Sequence, residues 1–169
     1  MYAAELISYA VPPLKSTDNG VKALMWMNDF HVRHLPVVDE GKLLGILSED
    51  EVINFIDPES SIASSKPVFM HNFVHSDQHL YDVMKLVVNF NLTTIPVLNK
   101  DGSFVGLITI EDLIKKLADT GSITHPGGVI VIEMEARDYS LAELSRIIEM
   151  ENAKILSSCL LYTSDAADE

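Results

Sequence analysis

The chain reads as an α+β protein: two repeats, each helix–strand–strand–helix, forming one module, then a partial strand–helix–strand unit. Three observations predict this. Thr94–Leu113, TIPVLNKDGSFVGLITIEDL, has the order strand, tight turn, strand, helix. Leu35–Val52 has the same order, and Ser16, Phe30, Pro36 and Val37 match Ser76, Phe90, Pro96 and Val97 at an offset of 60. An internal repeat of this kind fixes the architecture before any single element is weighed. Beyond Gly128, apolar runs with strand character flank a capped helical pattern.

Taken in order, Met1–Tyr9 is a short amphipathic lead-in, and Pro12-Pro13 holds the next segment extended. Ser16, Thr17 and Asp18 are N-cap candidates for a helix over Gly20–Phe30, where Val21, Leu24, Met27 and Phe30 recur on one face. Leu35–Val38 and Leu43–Leu47 are strands joined by a turn at Asp39–Lys42. Glu49–Ile56 is a helix with an acidic first turn, which suits its dipole. Asp57–Ser61 is a linker, and Pro67–Val74 opens the second repeat. Ser76 is expected to cap a helix whose apolar face is Leu80, Val83, Met84, Val87 and Phe90. Ile95–Leu98 and Phe104–Ile108 are strands around Asn99–Gly102, whose Asn, Asp and Gly tolerate the positive φ that hairpin turns need. Thr109 caps a helix running to about Ala118. Thr120–Ser122 and Pro126–Gly128 bracket a linker; Val129–Met134 and Ala153–Leu156 are strands around a helix that Ser140 and Glu143 begin as a capping box.

Within the repeats, Gly106-Leu107-Ile108-Thr109-Ile110-Glu111-Asp112 and Gly45-Ile46-Leu47-Ser48-Glu49-Asp50-Glu51 stand in register. The pattern, a PVV-like strand and then G-h-x-[ST]-x-x-[DN], resembles a tandem pair of CBS domains, with Glu51 departing at the last position. The resemblance assigns residues 5–58 and 66–118 to the two repeats. The unit at 127–158 resembles the first half of an ACT domain, a ferredoxin-like βαβ, and its sheet edge is expected to be poorly covered. The whole order is similar to bacterial CBS–ACT proteins, some named for acetoin utilisation. Cys159–Glu169, CLLYTSDAADE, resembles a translated sequencing adapter, a non-native tail that would displace the rest of the ACT-like unit.

Thr109 and Asp112 lie three apart across a helix start, where a sugar phosphate could place an anion on free N–H groups and its ribose on the carboxylate. Gly106 in the preceding strand marks close approach of a backbone or a ligand. The CBS resemblance supplies the ligand: an adenosyl compound (AMP, ADP, ATP or S-adenosylmethionine) in the cleft between repeats, as a regulatory ligand and not an obligatory cofactor. It implies ribose contact by Asp112, phosphate contact by Thr109, and contributions from Ile108, Thr94 and Pro96. Ser48 and Glu51 hold the equivalent place in repeat one, where the longer Glu displaces any ribose contact. Arg33 and His34, just before Leu35, stand where nucleotide-binding members place basic residues; a solvated surface pair reads equally well.

The formal charge of −13, without a Lys/Arg stripe, argues against nucleic acid. No apolar run reaches membrane-span length and no basic leader precedes one, so the expected compartment is the cytoplasm. One cysteine excludes a disulfide framework. His71, His75 and His79 are spaced by four, but Ser76-Asp77 starts a helix between them, so they are not expected to converge on a metal. No catalytic motif is present, and Asp50-Glu51 reads as dipole-matched surface charge. Apolar surplus at Met25, Trp26, Leu86 and Val88 predicts a homodimer. The alternative function is an interaction scaffold whose repeats dimerise without nucleotide.

Overall fold

The computed structural model describes residues 1–120 and 126–161. It divides into two units, Met1–Lys116 and Leu117–Glu169. The first holds both repeats. Repeat one comprises α1 (Gly20–Asp29), β1 (His34–Asp39), β2 (Lys42–Ser48), α2 (Glu49–Ile53) and the short α3 (Ile62–Ser65). Repeat two comprises β3 (Val74–His75), α4 (Leu80–Phe90), β4 (Thr94–Leu98), β5 (Phe104–Thr109) and α5 (Ile110–Thr120).

The two sheets are built alike. β1 pairs antiparallel with β2 and β4 with β5, each with a register break after the third apolar residue, at Val37/Val38 and at Val97/Leu98. On the other side of each hairpin a parallel partner arrives from upstream: β3 sets Val74 against Val97, and Leu14 sits against Val37 with hydrogen bonds to Pro36 and Val38. Burial runs continuously along the strands, through Leu35–Val37 of β1, Gly45–Leu47 of β2 and the whole of β4. Leu35, Val37, Leu47 and Ile46 are fully enclosed, as are Ile95, Val97 and Ile108, and Ala23, Met27, Val52 and Ile62 close repeat one from the helix side. Glu40 and Gly41, at φ +48° and +76°, make the two-residue turn of the first hairpin, and Gly102 at φ +82° serves the longer second turn.

Several local expectations change. Asn19, not Ser16, Thr17 or Asp18, caps α1 through the Lys22 N–H; Asp18 instead accepts from Lys15 N–H and pairs with Lys22 Nζ at 2.7 Å. His79 Nδ1, not Ser76, caps α4 through the Tyr81 N–H. α2 stops at Ile53, short of the expected Ile56, and a further short helix, α3, capped by Ser61, buries Ile62 directly after the expected linker.

The segments leading into the repeats cross over. The chain's first residues lie on repeat two: a 3-10 turn at Ala3–Leu6 buries Ala3 and Leu6, Ala3 N–H and Ala4 N–H donate to Gln78 and Ser76 carbonyls, and Ser8 N–H donates to Leu107 O at 2.8 Å. Residues 66–70 lie on repeat one, with Met70 and Ile46 exchanging both backbone hydrogen bonds.

In the second unit α6 (Leu141–Met150) forms, with Ser140 Oγ accepting the Glu143 N–H at 3.3 Å. The strands expected at Val129–Met134 and Ala153–Leu156 do not form, so the described residues contain no ferredoxin-like βαβ. A strand is stabilised by its neighbour's ladder, and among the described residues no strand lies beside either run; Val129 and Val131 are about nine-tenths exposed. Cys159–Leu161 are irregular and Cys159 is exposed. The expected linker residues Gly121 and Ser122, His125, and tail residues 162–169 lie outside the described residues.

Candidate functional site at the repeat junction

The two repeats meet where β1 and β4 begin. Thr93 is the hinge of this contact: its hydroxyl accepts the Arg33 N–H at 2.9 Å, and its carbonyl accepts the Ile110 N–H that opens α5. Its own N–H donates to His34 Nδ1 at 3.2 Å. Thr94 Oγ1 donates to the His34 carbonyl at 2.9 Å. Arg33 O in turn accepts the Glu49 N–H at the start of α2. The two strand starts and both helix N-termini are thus tied into one cluster, and most of the predicted site residues belong to it. Thr93, uncharged at the strand entry of repeat two, was not among the expected contacts; its match to Arg33 at an offset of 60 is the signal that marks it.

Within this cluster the roles differ from those expected. Asp112 is half-buried, and the Thr109 hydroxyl donates to its Oδ2 at 2.6 Å while accepting the Asp112 N–H at 3.1 Å. Thr109 therefore caps α5 as predicted, but its proton is directed to the carboxylate and not outward to a phosphate. Thr94, Pro96 and Ile108 are buried, so they support the cluster from beneath and offer it no exposed side chain. His34 is part-buried, and since Nδ1 accepts the Thr93 N–H its ring is neutral there. Burial, with Arg33 beside it, pushes its pKa below the ordinary imidazole value against smaller pulls from Asp50 and Glu49. Arg33 is the cation of the pair. It is held by its own repeat, with Nε 3.1 Å from Glu49 and Nη2 3.4 Å from Asp50.

The equivalent position in repeat one is engaged differently. Ser48 Oγ caps α2 by accepting the Glu51 N–H at 3.2 Å, while Glu51 Oε1 accepts the Val68 N–H of the crossing segment at 2.9 Å. The extra methylene of Glu51 lets it reach that backbone. Asp112, one methylene shorter, turns to Thr109. The glycines of the motif face the crossing segments too. A Cβ on Gly106 would lie 2.5 Å from Ile7 Cγ2, and one on Gly45 would lie 2.4 Å from Phe69 Cβ. The close approach that these glycines allow is therefore to another part of the chain, not to a ligand.

At the opposite end of the strands, a cleft of about 610 Å³ between the two hairpin turns is lined by Lys42, Leu43, His71, Phe73, Leu98 and Ser103. It contains none of the motif residues. Among the described residues no cluster of His, Cys, Asp or Glu could hold a metal. His75 Nδ1 faces the Asn99 carbonyl and His79 Nδ1 caps α4. No helix among the described residues is long and apolar enough to cross a membrane.

Comparison with known proteins agrees with this architecture. The CBS domain family model matches residues 14–58 and 60–119. A Vibrio cholerae protein described as an acetoin utilization protein (AcuB) superposes with TM-score 0.63 at 19% identity, over 76% of this chain and 98% of that one. CBSX2, solved in complex with AMP, superposes with TM-score 0.59 at 17% identity, over 70% of this chain and 96% of that one. At these identities the likeness is one of fold. The inosine-5'-monophosphate dehydrogenase of Aquifex aeolicus is 34% identical over 113 residues, 62% of this chain and 22% of the enzyme. The chain spans less than half the length of the curated relatives it matches. With two matched copies covering most of the chain, and two like-built sheets joined at their strand starts, this protein belongs to the CBS domain family, as a CBS pair.

Proposed function

We propose that this CBS pair is a regulatory, ligand-sensing module that binds an adenosyl compound at the repeat junction, with the working site in repeat two. The observation that carries the assignment is the asymmetry of the two acids. Glu51 is committed to a backbone N–H of the crossing segment, whereas Asp112 is held by Thr109, three residues away at the same helix start. A carboxylate oriented by a hydroxyl at a helix start is suited to accept ribose hydroxyls. The AMP bound by CBSX2 supports the ligand class. Regulation follows if the ligand prefers one arrangement of the two repeats, since only differential affinity shifts an equilibrium.

The test is calorimetric titration of the wild type, Asp112→Ala and Glu51→Ala with AMP and with S-adenosylmethionine. Removing a charge-assisted acceptor costs about 1.5–3 kcal/mol, so Asp112→Ala is expected to weaken binding by about ten- to a hundredfold. Glu51→Ala is expected to change affinity little. Loss of binding in Glu51→Ala with retention in Asp112→Ala reverses the site assignment. No binding by the wild type at millimolar ligand gives way to the scaffold reading, in which the pair serves assembly alone.

A further inference from the structure

We infer that the junction is a proton-sensitive tie: His34 couples the two repeats while its ring is neutral, and mild acid releases the start of α5 from repeat one. This holds whether or not an adenosyl compound binds there.

The hydrogen bonds between the strand starts are of two kinds. Arg33 N–H donates to Thr93 Oγ1 at 2.9 Å, and Thr94 Oγ1 donates to the His34 carbonyl at 2.9 Å. Neither depends on a titrating group. The bond from Thr93 N–H to His34 Nδ1, at 3.2 Å, does: it requires a lone pair on that nitrogen. The offset of 60 that relates the repeats sets His34 against Thr94, so the counterpart of the imidazole in repeat two is a hydroxyl. The junction thus responds to a proton from the side of repeat one.

Protonation exchanges partners. Nδ1 lies 3.1 Å from Thr93 Oγ1, so a proton on Nδ1 is directed to that hydroxyl, which accepts from Arg33 and has a second lone pair. The Thr93 N–H then faces a donor in a half-buried place, where an unsatisfied amide is costly. Thr93 carries the disturbance onward. Its carbonyl accepts the Ile110 N–H that opens α5, with Thr109 and Asp112 at that helix start.

The surroundings hold the ring neutral at neutral pH. Burial disfavours its charged form, and Arg33 beside it acts the same way. Asp50 and Glu49 of α2 pull in the other direction, but each is paired with Arg33. From repeat two, the residues hydrogen-bonded to His34 are Thr93 and Thr94, both uncharged. The tie is therefore closed above the ordinary imidazole value of about 6.5 and opens as pH falls below it.

The experiment follows the full chain by NMR from about pH 7.5 to about pH 5, the range in which imidazoles titrate. It reads the His34 ring nitrogens and the exchange of the Thr93 and Ile110 amides, corrected for intrinsic pH dependence. The Val38 and Ile46 amides, bonded to Leu14 and Met70 carbonyls on repeat one, are the reference. At neutral pH, Nδ1 is expected to carry no proton. As the ring titrates, Thr93 and Ile110 are expected to lose about tenfold more protection than the reference amides. In His34→Asn that extra loss is expected to vanish. A proton on Nδ1 at neutral pH overturns the tie, and so does Thr93 protection that stays level through the His34 titration. Equal loss at all four amides also overturns it, because the whole fold would then be weakening and not the junction. Should His34→Asn not fold, the wild-type ring nitrogens and the four amides decide the matter.

Discussion

His34 joins the two repeats through one ring nitrogen, and that nitrogen can hold the Thr93 N–H only while it is unprotonated. Its pKa is lowered in the fold by burial first and by Arg33 second, so the unfolded chain takes up this proton at higher pH than the folded one does. The stabilisation is therefore complete above the ordinary imidazole pKa of about 6.5 and is lost as pH falls through the lowered folded value. The wild type is expected to lose stability between neutral and mildly acidic pH more steeply than His34→Asn, which keeps an acceptor near the Nδ1 position without titrating. Urea midpoints at the two pH values measure this; parallel slopes would remove His34 from the account. The sequence showed His34 as a basic residue at a strand start. Its neutrality was not legible, because it depends on burial and on Thr93, far away in the chain.

Among the elements, the hairpins were legible and their covers were not. Short apolar runs, Gly102 and the repeat itself were enough to place β1, β2, β4 and β5 to within a residue or so. The crossing segments follow no local periodicity; their partners are set by contacts such as Ile7 with Gly106 that no short window contains. The same limit explains the second unit, where Val129–Met134 has strand composition but no neighbouring strand to complete it. The glycines make the crossing testable. Gly106→Ala drives a methyl toward Ile7 Cγ2 and is expected to cost about 1–3 kcal/mol, recovered in part by Ile7→Ala because the clash is with a side-chain branch. Gly45→Ala is expected to cost more, and trimming Phe69 to Ala is not expected to rescue it. There the clash is with Phe69 Cβ and the Met70 carbonyl, which remain, and Gly45 sits at φ +155°. Denaturant unfolding of the single and double variants measures both, and additive costs for Gly106→Ala and Ile7→Ala would mean that the two do not touch in solution.

For the pair as a whole, Val21 and Met25 on α1 and Tyr81 and Val88 on α4 are 46%, 52%, 64% and 73% exposed. Trp26, counted in the sequence as surplus, packs instead against the core of repeat one. The remaining apolar surface is expected to hold two copies together, and light scattering at tens of micromolar should give twice the chain mass; a chain-mass value sinks the expectation. The crossing of the lead segments has a further consequence, for the order in which the pair can be completed. Residues 3–8 are synthesised long before the strand they lie on, and Ser8 has no Leu107 to bond until nearly the whole pair has been made. Repeat one receives its own cover, residues 66–70, almost at once. The first half can thus close during synthesis, while the start of the chain must wait for the last strand. Contacts of such long sequence separation form late. The docking of residues 3–8 is then expected to be the last step in completing the pair, and a cut just after residue 70 would leave the first sheet covered and the second bare.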